Sequence, residues 1–219
     1  MIGRVVVAGK GCVGARPNCQ SRICAVVLLV IGIFLAGCAA ARPVKYYELT
    51  YATSTVSTPG PIDATIMVRL FEASHLYVND RIVYATEGPE MGAYETHRWA
   101  EPPIEALQEA LVRGLRASGL FKGVYTLRAN ANGRFILGGH LYDFKEVDLK
   151  PMVARLSYEV RLRDRSNGTT VWTHTYSHDE PTSEKTVSAF VLAMDKNVQR
   201  SVQEVQAGLE DYFREHAVK

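Results

Sequence analysis

The chain has 219 residues, 47% of them hydrophobic and 22% charged, with a formal net charge of +2. This composition belongs to an ordinary globular protein and excludes a disordered or collagen-like chain, and the length suits one domain with appendages. Four basic residues, Arg4, Lys10, Arg16 and Arg22, precede a long apolar run, and no acidic residue comes before Glu48; beyond residue 37, 21 basic residues face 23 acidic ones, which excludes the polybasic field that nucleic-acid binding needs.

The first predicted element is an export signal. Ala25 to Leu35 reads A-V-V-L-L-V-I-G-I-F-L, with basic residues before it and small residues after it. That is the three-part layout of a secretory signal. The run falls short of the roughly 20 apolar residues that a membrane span requires, and extending it to Ala41 adds only small, weakly apolar residues. It ends in Leu35-Ala36-Gly37-Cys38, which resembles the bacterial lipobox. The Cys38 thiol is the one side chain there able to accept a thioether-linked diacylglyceryl group. The small residues before it give a lipoprotein signal peptidase access to the Gly37–Cys38 bond. The expectation is a cleaved signal peptide over residues 1–37, acyl lipid (palmitate among its chains) on Cys38, and a lipidated tether over 38–44. At about 0.8 kcal/mol per buried CH₂, two or three acyl chains hold such a protein firmly on a membrane. Ala39, rather than Asp, follows the cysteine. That choice leans toward the outer membrane, facing the periplasm.

The other cysteines, Cys12, Cys19 and Cys24, all precede Cys38, so the mature domain has no disulfide framework. A folded unit of about 180 residues buries roughly 70% of its unfolded surface and needs neither disulfide nor metal. Gly9-Lys10-Gly11-Cys12-Val13-Gly14 matches a dinucleotide-binding fingerprint, but Pro17 breaks the helix that must come after it.

Past the tether, residues 45–219 read as one domain. Lys45 to Tyr51 is a predicted strand, and Ala52 to Asp63, rich in Ser, Thr and Pro, a loop. Thr65 to Leu70 alternates Ile66, Val68 and Leu70 as a strand. Arg81 to Thr86 and Gly92 to Arg98 form a predicted hairpin. Pro102-Pro103 opens a helix whose stripe is Ile104, Leu107, Leu111 and Leu115, and Gly119 caps its end. Leu120 to Leu127 leads into another strand. Arg134 to Glu146 and Met152 to Asp164 are the longest strands; in the second, Ala154, Leu156, Tyr158, Val160 and Leu162 share one face, with charged residues on the other. Asn167-Gly168 predicts a type I′ turn into a return strand from Thr170 to His178. A helix from about 184 to 216 closes the chain, with Val187, Val191, Met194, Val198, Val202, Val205, Leu209 and Tyr212 as its stripe. The fold class is α+β: a largely antiparallel, curved sheet with two helices (about 103–118 and 184–216) packed on one face.

No catalytic or metal constellation emerges. His174 and His178 share a strand face about 13 Å apart, too far to hold one metal. There is no H-E-x-x-H, C-x-x-C or G-x-S-x-G. Asn167-Gly168-Thr169 matches a glycosylation sequon, but hairpin chemistry explains it. Tyr46, Tyr47, Tyr84, Tyr94, Trp99 and Trp172 lie near strand ends, as core residues or as an interface. A binding or scaffolding role fits this better than an enzyme does.

Several stretches carry a family resemblance. They are Tyr46-Tyr47-x-Leu49, Ile82-Val83-Tyr84, Tyr94-x-x-x-Arg98-Trp99-Ala100-Glu101-Pro102-Pro103 and Leu111 to Phe121 with Val124. The hairpin Gly168-x-x-Val171-Trp172 and the helix segment Val191-x-Ala193-Met194 complete the set, and Arg98 to Phe121 is its most specific part. Together the sequence resembles the ABC-type transport auxiliary lipoprotein family, which includes the lipoprotein of the paraquat-inducible MCE system. The resemblance implies an outer-membrane, non-enzymatic auxiliary component that partners an MCE-domain protein and an ABC permease and ATPase. Such systems move lipids or other hydrophobic molecules between inner and outer membranes. The resemblance further implies docking of the periplasmic MCE assembly to the outer membrane, ring-forming homo-oligomers in some members, and no cofactor beyond the covalent lipid. It places Tyr46, Tyr47, Tyr84, Trp99 and Pro102 either in the core or at the partner interface. The alternatives are a periplasmic carrier holding an acyl chain between sheet and helices, and an enzyme with an unrecognised site.

Overall fold

The computed structural model describes residues 42–51, 61–127 and 132–216. The expected signal segment with Gly37 and Cys38, and most of the expected loop from Ala52 to Asp63, lie outside them. The chain divides into two units at Arg42/Pro43, and the described strands and helices all belong to the second.

The strands are β1 (Lys45–Tyr47), β2 (Ile62–Val68), β3 (Glu72–Ala73), β4 (Arg81–Ala85), β5 (Met91–Trp99), β6 (Phe121–Thr126), β7 (Phe135–Val147), β8 (Val153–Asp164) and β9 (Thr170–Pro181). The helices are α1 (Pro103–Ala117), between β5 and β6, and α2 (Val187–Glu215), at the end. The sheet is built around β7. One edge of β7 pairs antiparallel with β8 along its whole length, from Phe135 opposite Asp164 to Val147 opposite Val153. Its other edge is taken in turn by three short parallel partners. Ile66–Val68 of β2 lie beside Phe135–Leu137, β3 beside His140 and Leu141, and Val83–Ala85 of β4 beside Lys145–Val147. Two wings extend from this edge: β6 joins β2, while β5 and then β1 join β4. β9 pairs antiparallel with β8.

The expected α+β class holds. The long pairings are antiparallel, while the short strands add parallel joints that sequence alternation does not reveal. Curvature has a local cause. The register slips between Leu141 and Asp143 opposite β8, and again between Leu162 and Arg163 opposite β9. An extra residue on one strand bends it and increases its twist.

The apolar stripes meet on one face. Leu107, Leu111 and Leu115 of α1 and Met194, Val205 and Leu209 of α2 are fully buried, as are Leu156, Tyr158, Val160 and Leu162 of β8. With Ala154, also fully buried, all five alternating positions of β8 thus reach the core just as the pattern predicts. α1 starts at Pro103, behind Pro102, and ends before Gly119 at φ 63°. Glycine adopts that left-handed conformation without steric cost. α2 begins three residues later than expected because the Thr186 hydroxyl accepts the Ala189 amide, so Thr186 sits in an extended N-cap conformation.

Two local expectations are corrected. The strand predicted over Lys45 to Tyr51 ends at Tyr47, because Leu49 turns into the core and Thr50 binds α2. The turn after β8 is not type I′. Gly168 has positive φ but Asn167 does not, and the Gly168 amide donates to the Asp164 carbonyl across a longer loop. The Asn167 side chain instead accepts from the Thr169 amide and hydroxyl.

Candidate functional site

Of the aromatics singled out in the sequence, Trp172 lies on β9, stacked on His174, and the others divide between two environments at the corner where β1, β5 and β4 meet. Trp99 is 2% exposed; its ring packs edge-on against Phe144 (centroids 5.3 Å apart, 79°) and against Phe190 of α2 at 5.8 Å. The residues around it lock the same corner. The Trp99 amide donates to the Asp80 carbonyl and the Ala100 amide to the Tyr47 carbonyl, at 2.6 and 2.7 Å. The Arg98 guanidinium pairs with Asp80 at 2.7 Å. Pro102 then sets the start of α1. The most specific stretch of the sequence is therefore a joint of the fold: one strand end holds β1, the Asp80 loop, the core and the first turn of α1.

Tyr46 and Tyr84 face outward, at 65% and 37% exposure, and Met91, on the strand paired with β4, is exposed as well. Tyr84 lies over Gly92; a Cβ there would come within 2.5 Å of its ring, so only glycine lets the ring settle. Beneath them runs a line of rings. Tyr84 meets Tyr94 at 5.0 Å, Tyr94 meets His97 at 5.4 Å, and His97 stacks on Tyr47 at 5.6 Å. The Tyr47 hydroxyl lies 2.8 Å from His97 Nδ1.

Glu146 joins this line at Tyr94, and sequence reasoning missed it as a member of this corner. The Tyr94 hydroxyl donates to its Oε1 at 2.9 Å, while Oε2 is buried and makes no hydrogen bond. Burial raises the Glu146 carboxyl above the ordinary carboxylate range, and the Tyr94 bond opposes that only in part. Burial and the neighbouring Glu146 likewise raise the Tyr94 phenol. A signal existed: Glu146 is two residues from Phe144 on β7, in phase with the buried face.

A second clasp ties the N-terminal strand to the helices. Both the amide and the hydroxyl of Thr50 bind Asp195 of α2, the amide at 2.9 Å. Tyr51, at φ 45°, reaches Glu101 at 3.3 Å and lies 4.8 Å from the Arg113 guanidinium. Asn197, a polar residue inside the apolar stripe of α2, donates to the carbonyls of Ala154 and His178 and accepts from Tyr176, which pins α2 to β8 and β9. Its burial was not legible from the helical pattern, which marks position but not side-chain partners.

The two histidines of β9 look to different carboxylates: His178 to Glu180 at 3.3 Å and His174 to Glu204 of α2 at 3.7 Å. Among the described residues no three His, Cys, Asp or Glu side chains converge on a metal-sized site. The crevice between α1 and α2, lined by Tyr51, Arg113 and Asp195, measures about 20 Å³. That is room for about one water, not for an acyl chain. Among the described residues the layer between helices and sheet is filled by fully buried Phe144, Phe190, Leu107 and Leu111.

The family model for the ABC-type transport auxiliary lipoprotein component matches residues 47–206. A crystal structure of a protein from Xanthomonas campestris superposes with a TM-score of 0.71 at 18% identity, covering 78% of this chain and 98% of that one. A second crystal structure, of an uncharacterised protein, gives a TM-score of 0.61 at 14% identity, covering 77% and 99%. At such identities the likeness is one of fold. No curated protein matches the sequence.

Proposed function

Because the chain belongs to the ABC-type transport auxiliary lipoprotein family, we propose that it is the non-enzymatic lipoprotein of an ABC/MCE-type transporter that moves lipids between inner and outer membranes. In this reading the protein is anchored through acyl chains on Cys38 to the periplasmic face of the outer membrane. There it docks the periplasmic MCE assembly, which an ABC permease and ATPase serve from the inner membrane, and it does so as a homo-oligomer. One observation carries the reading: the family match over 47–206 begins just past the lipobox that ends at Cys38. The aromatic corner supplies a surface for the docking. Trp99 supports it from within, Pro102 sets the start of α1 beside it, and Tyr46, Tyr84 and Met91 present exposed apolar area of the kind that anchors interfaces.

Affinity purification of the detergent-solubilised full-length protein tests this. An MCE-domain protein is expected to co-purify, and Tyr46→Ser is expected to lower its recovery. Recovery of cell-wall or porin components alone, with no MCE protein, refutes the proposal.

A further inference from the structure

The open face of the sheet, away from the helices, carries a concave trough that no feature of the docking role uses. It measures about 400 Å³ and lies where the β7 bulge bends the sheet. Arg161 and Arg163 of β8 stand on it two residues apart, opposite Gly138 and Ile136 of β7. That spacing puts their guanidinium groups on one face, about 7 Å apart at the backbone. Arg69 closes the third side. Its amide donates to the Leu137 carbonyl at 2.7 Å, which keeps the chain beyond β2 alongside β7.

Two consecutive glycines shape the hollow, Gly138 on the open face and Gly139 through the close approach of β8. A Cβ on Gly139 would lie 1.8 Å from the Glu159 carbonyl oxygen, so only glycine lets β8 approach there. A Cβ on Gly138 would come within 3.1 Å of Arg69 Cβ, so the bare backbone leaves the floor open beneath that arginine. Tyr142, the 48%-exposed residue at the bulge, packs against His140 with centroids 4.8 Å apart and forms the far wall.

The lining holds three arginines against one carboxylate, Glu72. Their present partners are replaceable. Arg69 pairs with Glu72 and Arg161 with Glu159, and both arginines are about half exposed or more. Exposed pairs of this kind contribute about 0–1 kcal/mol. Arg163 Nε donates to the Gly168 carbonyl at 2.9 Å. A phosphate offers a guanidinium fork two charge-assisted hydrogen bonds, which a lone carbonyl cannot match.

We propose that this trough is a binding site for a phosphate group, held by Arg69, Arg161 and Arg163 over the Gly138-Gly139 floor. Phospholipid headgroups and free phosphate share that chemistry. The site stands on the geometry of the open face and does not depend on the docking role, so either proposal survives the failure of the other.

Titration calorimetry of the full-length protein in a nonionic detergent, at constant ionic strength, tests it with inorganic phosphate and with dihexanoylphosphatidylglycerol. At least one probe is expected to bind saturably. Tighter binding of the phospholipid identifies a lipid headgroup as the source, and equal or tighter binding of inorganic phosphate identifies the free ion; both uphold phosphate recognition. The exposed double variant Arg161→Gln/Arg163→Gln is expected to weaken binding at least tenfold. Glu72→Gln, which removes the competing carboxylate, is expected to tighten it severalfold. The remote double variant Lys122→Gln/Arg214→Gln, which removes the same charge elsewhere, is expected to leave it unchanged. Absence of saturable binding to either probe overturns the proposal, as does equal weakening in both double variants.

Discussion

Trp99 and Glu146 share one corner but answer to different forces. Trp99 is held between Phe144 and Phe190, so Trp99→Ala leaves a large void and is expected to cost about 3–5 kcal/mol in urea unfolding. Its Nε1 is buried without a hydrogen bond, so Trp99→Phe removes an unsatisfied donor while keeping most of the apolar volume. That variant is expected to lose much less. A Trp99→Ala protein as stable as wild type would assign the residue to a partner surface instead. Glu146 brings a pH dependence. Burial raises its carboxyl in the folded state above the ordinary value of about 4.3. The folded chain therefore binds more protons than the unfolded one between those two values, and stability falls as pH rises through that window. Glu146→Gln is expected to flatten this fall in urea midpoints measured from acid to neutral pH. Asp164 works the other way. The Arg134 side chain, with the Ser166 amide and hydroxyl, holds its carboxyl at about 2, so its contribution is lost as pH falls toward that value.

Helix α1 shows why propensity and packing must be weighed together. Replacing a mid-helix glycine with alanine ordinarily stabilises by up to about 1 kcal/mol. At Gly114 the added Cβ would come within 2.2 Å of Val202 Cγ1 on α2, because the glycine sets how close the two helices run. Overpacking of this kind typically costs about 1–3 kcal/mol. Gly114→Ala is therefore expected to lower the thermal midpoint, and a raised midpoint would show that the helices can separate freely. The same logic operates in the sheet. Helical and strand periodicity located α1, α2, β7 and β8, since each buries one continuous stripe. β3 was not legible, because two residues carry no period, and neither were the parallel joints, because alternation is blind to strand direction. Asn197 and Glu146 escaped for a related reason: each is a polar residue on a buried face, and only its partners, Tyr176 and Tyr94, explain its place.

For the whole molecule, the proposed anchor at Cys38 and the folded domain make separate predictions. Cys38→Ala is expected to release the protein from membranes into the soluble fraction on cell fractionation while the circular dichroism of its folded domain stays unchanged. Retention on membranes would contradict acylation at that position. The sequence by itself determined the α+β class, the buried stripes and the family. These arise from local patterns of residue type, which need no knowledge of what lies across the fold. Only the tertiary structure decided that Trp99 and Pro102 are joints of the fold while Tyr46 and Tyr84 face out, that the long β7 carries three partners on one edge, and that Arg69 meets Arg161 and Arg163 over a glycine floor. Each of these depends on contacts between residues far apart in the chain. Such contacts are set by register, bulges and close backbone approach, and a periodic pattern encodes none of them.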